Sequence, residues 1–133
     1  MEKIEKIIKN AYAPYSNYPV AAKVLMRDGK EYYGVNVENA SYGATICAER
    51  NAINNAITMG YKKGDFVSLT VMVEGSNFAF PCFLCRQTIV EFFEPTCDLV
   101  LVLNGVSKYY KMRDIIVHPF TKKDLLWKQD LLQ

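Results

Sequence analysis

Two nearly unbroken apolar runs, Phe66–Val73 and Leu99–Leu103, do most to constrain what this chain can fold into. A strand with one wet face alternates apolar and polar residues, so a run that largely lacks the alternation must be covered on both faces. Between the two runs, Cys82–Phe93 has helical spacing, with Ile89, Val90, Phe92 and Phe93 directed inward. The 133 residues suit one hydrophobic core, and no linker or repeat divides them, so a single domain over residues 1–133 is expected.

The remaining segments fit around that unit. Residues 2–12 read as a helix, with Ile4, Ile7, Ile8 and Tyr12 on one face and Pro14 as the stop. Val20–Arg27 and Glu31–Asn39 flank Asp28-Gly29 and read as a β-hairpin. Cys47–Met59 reads as a helix closed by Gly60, with Ala52, Ile53, Ala56 and Ile57 as its buried stripe. A weaker strand over Tyr109–Ile116 and a closing helix over Lys122–Lys128 complete the order α-β-β-α-β-α-β-β-α. The layer rules turn this order into an α/β fold, a three-layer α/β/α arrangement around a mixed sheet of about five strands.

Charge and composition narrow the partners. The net charge of +2 is small and the lysines are scattered, which argues for a small-molecule substrate, with no nucleic-acid and no membrane partner. Charged residues interrupt every apolar pair in Met1–Lys9, so no signal peptide or membrane span is expected, and the protein is expected to be cytoplasmic. In that reducing compartment the four cysteines serve as ligands, catalysts or core residues rather than disulfides.

Chemistry concentrates in Cys47-Ala48-Glu49-Arg50 and Pro81-Cys82-Phe83-Leu84-Cys85-Arg86-Gln87. Three thiolates and one carboxylate suit a zinc site that keeps its fourth position for water, because a closed structural site takes four protein ligands. Both cysteine clusters start helices, where the positive end of the helix dipole favours thiolate over thiol. Glu49 continues the buried stripe of its helix, where a carboxylate is costly unless it works; taken alone it could equally be a first-turn Glu complementing the dipole. Arg50, one turn from Cys47, could draw charge from a thiolate-rich metal or could be a surface ion pair. Cys82 and Cys85 alone would also fit a redox motif or a structural zinc ribbon, but a redox reading gives Cys47 and Glu49 no task, and a structural zinc on four cysteines would have to recruit Cys97. Cys97 sits alone before a buried strand and reads as core.

In Val35-Asn36-Val37-Glu38-Asn39, alternation puts Asn36 and Glu38 on one face, either toward solvent or toward a pocket where amide and carboxylate could grip a sugar hydroxyl. His118 is the only histidine, so His-based triads and H-E-x-x-H metal sites are excluded. No glycine-rich dinucleotide or nucleoside-triphosphate motif is present.

The paired Cys-Ala-Glu-Arg and Pro-Cys-x-x-Cys-Arg-Gln segments follow the pattern of zinc deaminases as a class. The chain as a whole resembles the small-subunit, homotetrameric cytidine deaminases. Pro14-Tyr15-Ser16, Asp28-Gly29, Asn36 through Tyr42, Glu91-Phe92, Phe120 and Asp124-Leu125 extend the resemblance along nearly all of it. The resemblance implies one Zn²⁺ per subunit on Cys47, Cys82 and Cys85, with Glu49 as proton shuttle and Arg50 as thiolate charge partner. It also implies that Asn36 and Glu38 hold the ribose 3′-hydroxyl of a nucleoside, and that Tyr42 and Phe120 reach a neighbour's site in a homotetramer with shared active sites. The expected reaction is hydrolytic deamination of cytidine and deoxycytidine in pyrimidine salvage, with the backbone at Ala48 and Cys82 holding the leaving amino group. Two segments depart from the family pattern. Tyr18-Pro19-Val20-Ala21-Ala22 stands for Phe-x-Val-Gly-Ala, so Tyr18 would stack on the pyrimidine, and Ile115 to Phe120 displaces the usual proline.

Overall fold

Phe66–Val73 and Leu99–Leu103 lie side by side as a parallel pair, with Leu69 opposite Leu99 and Val71 opposite Leu101. They belong to a computed structural model that describes residues 2–125. Its elements are α1 (Glu2–Ile7), β1 (Val20–Met26), β2 (Glu31–Val35), α2 (Ala48–Thr58), β3 (Phe66–Val73), α3 (Phe83–Phe92), β4 (Asp98–Leu103), β5 (Val106–Lys111) and α4 (Met112–Ile115). The five strands run in the order β2-β1-β3-β4-β5, and every neighbouring pair except β3–β4 is antiparallel.

Side chains divide between the two faces of the sheet as a period of two requires. On one face Val24, Leu69, Val71, Leu99 and Leu101 pack against Ala52, Ile53 and Ala56 of α2 and Ile89 of α3. On the other, Ala21, Met72 and Val102 pack against Ile4 and Ile8. Phe66, Ile53, Leu69, Ile89 and Leu99 are all fully buried, each contributing roughly 1.5–3 kcal/mol relative to exposure. The three-layer reading therefore holds, with α2 and α3 forming the thicker layer.

One contact sets the height of α2 over the sheet. A Cβ at Gly34 would meet the Ala52 nitrogen at 2.4 Å and the Ala48 oxygen at 2.5 Å, so helix and strand touch backbone to backbone. Asn51 then donates from Nδ2 to the Val35 carbonyl at 2.8 Å and Asn55 to the Tyr33 carbonyl at 3.3 Å, satisfying acceptors on the edge strand.

Several segments differ from expectation. The first helix ends early: Ile8–Asn10 is a 3₁₀ turn, and Tyr12, 54% exposed, is extended and bridges to Val37. Its N–H donates to the Asn36 carbonyl and its C=O accepts from Glu38 N–H, both at 2.9 Å. The second hairpin strand stops at Val35, though this bridge and one from Val37 to Ile46 carry its alternation on to Glu38. The expected strand over Tyr109–Ile116 is corrected to β5 followed by the helical turn α4. Asn104-Gly105, both at positive φ (51° and 78°), turns β4 into β5, and Asp114 accepts the Lys111 N–H at 2.8 Å to start α4. Lys122–Leu125 is a 3₁₀ turn, and the remainder of the expected closing helix lies outside the described residues. No described helix is long and apolar enough to cross a membrane.

Candidate active site

Cys47 is the N-cap residue of α2 and Cys82 that of α3, while Cys85 lies in the first turn of α3. The sulfur atoms of Cys47 and Cys82 are 3.8 Å apart and those of Cys82 and Cys85 3.6 Å apart, and all three lie within 4.8 Å of one another. Two zinc–sulfur bonds of about 2.3 Å meeting at the tetrahedral angle require a separation of about 3.8 Å. Cys82 is thus at ligand spacing from both other thiols, and among the described residues no fourth side chain of ligand type joins the three. The set fits a zinc ion with one position open.

Electrostatics favour the thiolate at Cys47. The Cys47 thiol is lowered to about 5, chiefly by a hydrogen bond from Cys85 and then by Arg50, against the opposing effect of burial. Cys85 is pushed up correspondingly, because its proton is shared with the Cys47 sulfur. Arg50 Nη2 lies 3.8 Å from Cys47 Sγ and 3.4 Å from the Thr45 carbonyl oxygen. Among the described residues its Nε is buried with no partner, and Nη2 faces the Cys47 sulfur rather than a carboxylate.

Glu49 is the ionisable residue most deeply placed near the thiols, only 6% exposed. Burial raises its carboxyl above the usual range and the Cys47 thiolate adds to the rise. With no hydrogen bond to a guanidinium or lysine among the described residues, it is a carboxylate with high proton affinity at the wall of a cavity.

That cavity, of about 290 Å³, collects Tyr18, Asn36, Glu38 and Ala48 with Cys47, Glu49 and Cys82. Asn36 and Glu38 therefore share the face that alternation assigned to them, and the face is the pocket rather than solvent. Both are also occupied internally. Asn36 Oδ1 accepts from Val20 N–H at 2.9 Å and Nδ2 donates to the Tyr18 carbonyl at 2.8 Å. Glu38 Oε1 accepts the N–H groups of Tyr15 (3.0 Å) and Ser16 (3.1 Å), and Oε2 accepts the Ser16 hydroxyl. The Ser16 hydroxyl, followed by these amides, holds the Glu38 carboxyl below its usual range.

The chain alone does not bring Tyr42 or Phe120 into this cavity. Tyr42 is 79% exposed and lines an adjoining surface hollow. Phe120 lies beside α3, its carbonyl accepting from Gln87 Nε2 at 2.9 Å. A larger concavity of about 460 Å³ near Lys63 and Lys122 has none of this chemistry, so size does not identify the site.

Three contributors escaped the sequence reading. Phe80 forms part of the cavity wall and packs edge-on against Tyr110 with ring centres 5.0 Å apart. Arg86 donates from Nε to the Pro81 carbonyl and from Nη1 to the Ile115 carbonyl, each at 2.8 Å, which fixes the segment leading into Cys82. Ser16 lines the cavity between Glu38 and Tyr18. Arg86 and Ser16 each lie in a segment that carries the family resemblance, Pro81 to Gln87 and Pro14-Tyr15-Ser16, although neither segment indicates these contacts; Phe80 carries no spacing signal of its own.

Comparison with known proteins places this geometry among relatives. Residues 1–100 match the family model described as the cytidine and deoxycytidylate deaminase zinc-binding region. A cytidine deaminase of Mycoplasma genitalium is 32% identical over 123 residues, spanning 92% of this chain and 93% of that protein. One of Sporosarcina psychrophila is 36% identical over 122 residues, 91% of this chain and 88% of the relative. The crystal structure of cytidine deaminase from Burkholderia pseudomallei superposes with a TM-score of 0.84 at 39% identity, covering 90% of this chain and 94% of that one.

Proposed function

The chain belongs to the cytidine and deoxycytidylate deaminase family, and from that premise we propose that its cavity converts cytidine and deoxycytidine, with water, into uridine or deoxyuridine and ammonia. The observation that carries this reading is the buried Glu49 at the wall of a cavity bounded by thiols at tetrahedral spacing. Cys47, Cys82 and Cys85 hold one zinc per subunit. When bound, zinc supplies Lewis acidity that brings the pKa of water down toward about 7.

The remaining steps belong to the chain. Glu49 accepts a proton as the water oxygen adds to C4 of the base, and delivers that proton to N3. It then takes the proton of the new C4 hydroxyl and passes it to the amino nitrogen; the C4–N bond breaks, a carbonyl forms and ammonia leaves. A carboxyl raised by burial suits both directions of transfer, since it binds protons readily without falling into an ion pair. Backbone groups at Ala48 and Cys82 hold the amino group, Tyr18 and Phe80 supply aromatic walls for the pyrimidine, and Asn36 and Glu38 take the sugar 3′-hydroxyl with the capacity their internal bonds leave. Arg50 draws charge from Cys47 and so keeps a centre of three thiolates acidic enough to work.

The same reading makes residues 1–133 one domain of a cytoplasmic homotetramer in pyrimidine salvage, acting on free nucleosides rather than on nucleic acid or at a membrane. What supports assembly is exposed apolar surface: Phe83 and Leu84 are 82% and 66% exposed and Phe120 beside α3 is 54% exposed, while Tyr42 lines a hollow that shares Ser16, Glu38 and Thr45 with the cavity. A panel of nucleosides tested for ammonia release decides the substrate. Cytidine and deoxycytidine are expected to react at comparable rates and free cytosine far more slowly; equal rates with cytosine would remove Asn36 and Glu38 from sugar binding, and no reaction with either nucleoside would overturn the reading.

A further inference from the structure

The two residues assigned to the sugar are also the residues that hold Tyr18. The Tyr18 carbonyl accepts from Asn36 Nδ2 at 2.8 Å, and the Tyr18 N–H donates to Ser16 Oγ at 3.1 Å. Ser16 Oγ in turn donates its proton to Glu38 Oε2. A hydroxyl has one proton and accepts in return, so this one links the backbone of Tyr18 to the carboxylate in a single direction.

A carboxylate offers about two acceptor directions per oxygen. Oε1 of Glu38 already takes two backbone N–H groups, from Tyr15 and Ser16. The free direction is on Oε2, the oxygen that Ser16 shares. A sugar hydroxyl arriving at Glu38 therefore meets an oxygen positioned by Ser16, while the same serine fixes where the Tyr18 ring projects. Ser16 and Glu38 line both the thiol cavity and the outer hollow that contains Tyr42, so they stand at the boundary where a base on one side would join its sugar on the other.

We propose that Ser16 is a positioning residue that couples sugar recognition to base stacking, through the relay from Tyr18 N–H to Ser16 Oγ to Glu38 Oε2. The inference rests on the nucleoside reading of the site and adds to it a residue which acts through Glu38 and Tyr18 rather than on the reacting atoms. Without its hydroxyl, Glu38 keeps its two amide donors but loses its lateral support, and the Tyr18 N–H loses its partner. Binding should suffer while proton transfer at Glu49 does not.

The test compares Ser16→Ala and Ser16→Thr with the wild-type zinc enzyme, using steady-state kinetics on cytidine and calorimetric titration with uridine, which binds without reacting. Ser16→Ala is expected to raise KM for cytidine and Kd for uridine about tenfold each, equivalent to about 1.4 kcal/mol, with kcat within about twofold of wild type. Ser16→Thr, which retains the hydroxyl, restores both. In a Glu38→Gln background, Ser16→Ala adds less than about twofold, because the relay already ends on a weaker acceptor. Unchanged KM and Kd in Ser16→Ala, a loss confined to kcat, an equal loss in Ser16→Thr, or full additivity with Glu38→Gln would each overturn the proposal. Wild-type protein that neither binds uridine nor deaminates cytidine would instead overturn the functional reading beneath it.

Discussion

A methyl group on Gly34 would lie 2.4 Å from the backbone nitrogen of Ala52, so these two residues set how closely α2 approaches the sheet. The contact matters beyond packing, because α2 begins with Cys47 as its N-cap residue and carries Glu49 and Arg50 in its first turn. Its height over β2 is the height of the site.

Gly34→Ala is expected to destabilise the protein and loosen the metal site together. Overpacking against backbone costs about 1–3 kcal/mol, more than the roughly 0.4–1 kcal/mol gained by restricting the unfolded chain. Urea denaturation and zinc content of the same preparation check this. A variant as stable as wild type would show that α2 has room to move.

Arg50 adds to the hydrogen bond from Cys85 in lowering the Cys47 thiol. In metal-free protein, alkylation of Cys47 followed by mass spectrometry should report a thiol titrating at about 5, against about 8.5 for a free cysteine. A guanidinium beside a sulfur favours thiolate, so Arg50→Gln should move the midpoint upward and weaken zinc binding at mildly acid pH. An unshifted midpoint would return Arg50 to the role of a surface cation.

Glu49 opposes folding in the metal-free state at neutral pH. Its carboxyl is raised in the fold by burial, so the native chain binds more protons than the unfolded one above about pH 4.3, and stability from this group falls as pH rises toward the folded value. Glu49→Gln should therefore stabilise metal-free protein at pH 7 on the order of 1 kcal/mol, a few degrees in Tm. The gain should shrink below about pH 4, where both states are protonated. Scanning calorimetry at the two pH values tests the sign.

Shared sites predict complementation. Phe120→Ala and Glu49→Gln should each be weakly active alone, yet co-assembly of the two variants should raise activity severalfold, because some sites would combine an intact Glu49 with a neighbour's intact Phe120. Mixed oligomers no more active than the sum of the parents would confine each site to one chain.

How far the fold was legible depended on what recorded each element. The limits of β3 and the cores of α2 and α3 were readable because continuous apolar runs and helical stripes are properties of the sequence itself. The early end of the first helix was not, since Tyr12 leaves helical geometry to pair with Asn36 and Glu38, residues distant in the chain. The β4–β5 hairpin left a signal, Asn104-Gly105, that apolar pattern alone passed over. At the site, the thiol spacing and Glu49 followed from two local motifs. Ser16 and Phe80 did not, because their roles arise only when the loops of residues 12–20 and 74–82 meet the start of α2.

The central claim is that Glu49 moves the proton at a zinc site built from Cys47, Cys82 and Cys85. The direct measurement is zinc per subunit and the loss of cytidine absorbance in one sample each of wild type and Glu49→Gln. We expect one zinc in both, rapid loss of absorbance in wild type, and a rate lower by roughly a thousandfold or more in the variant. A zinc-loaded Glu49→Gln protein that deaminates cytidine at the wild-type rate would contradict the account.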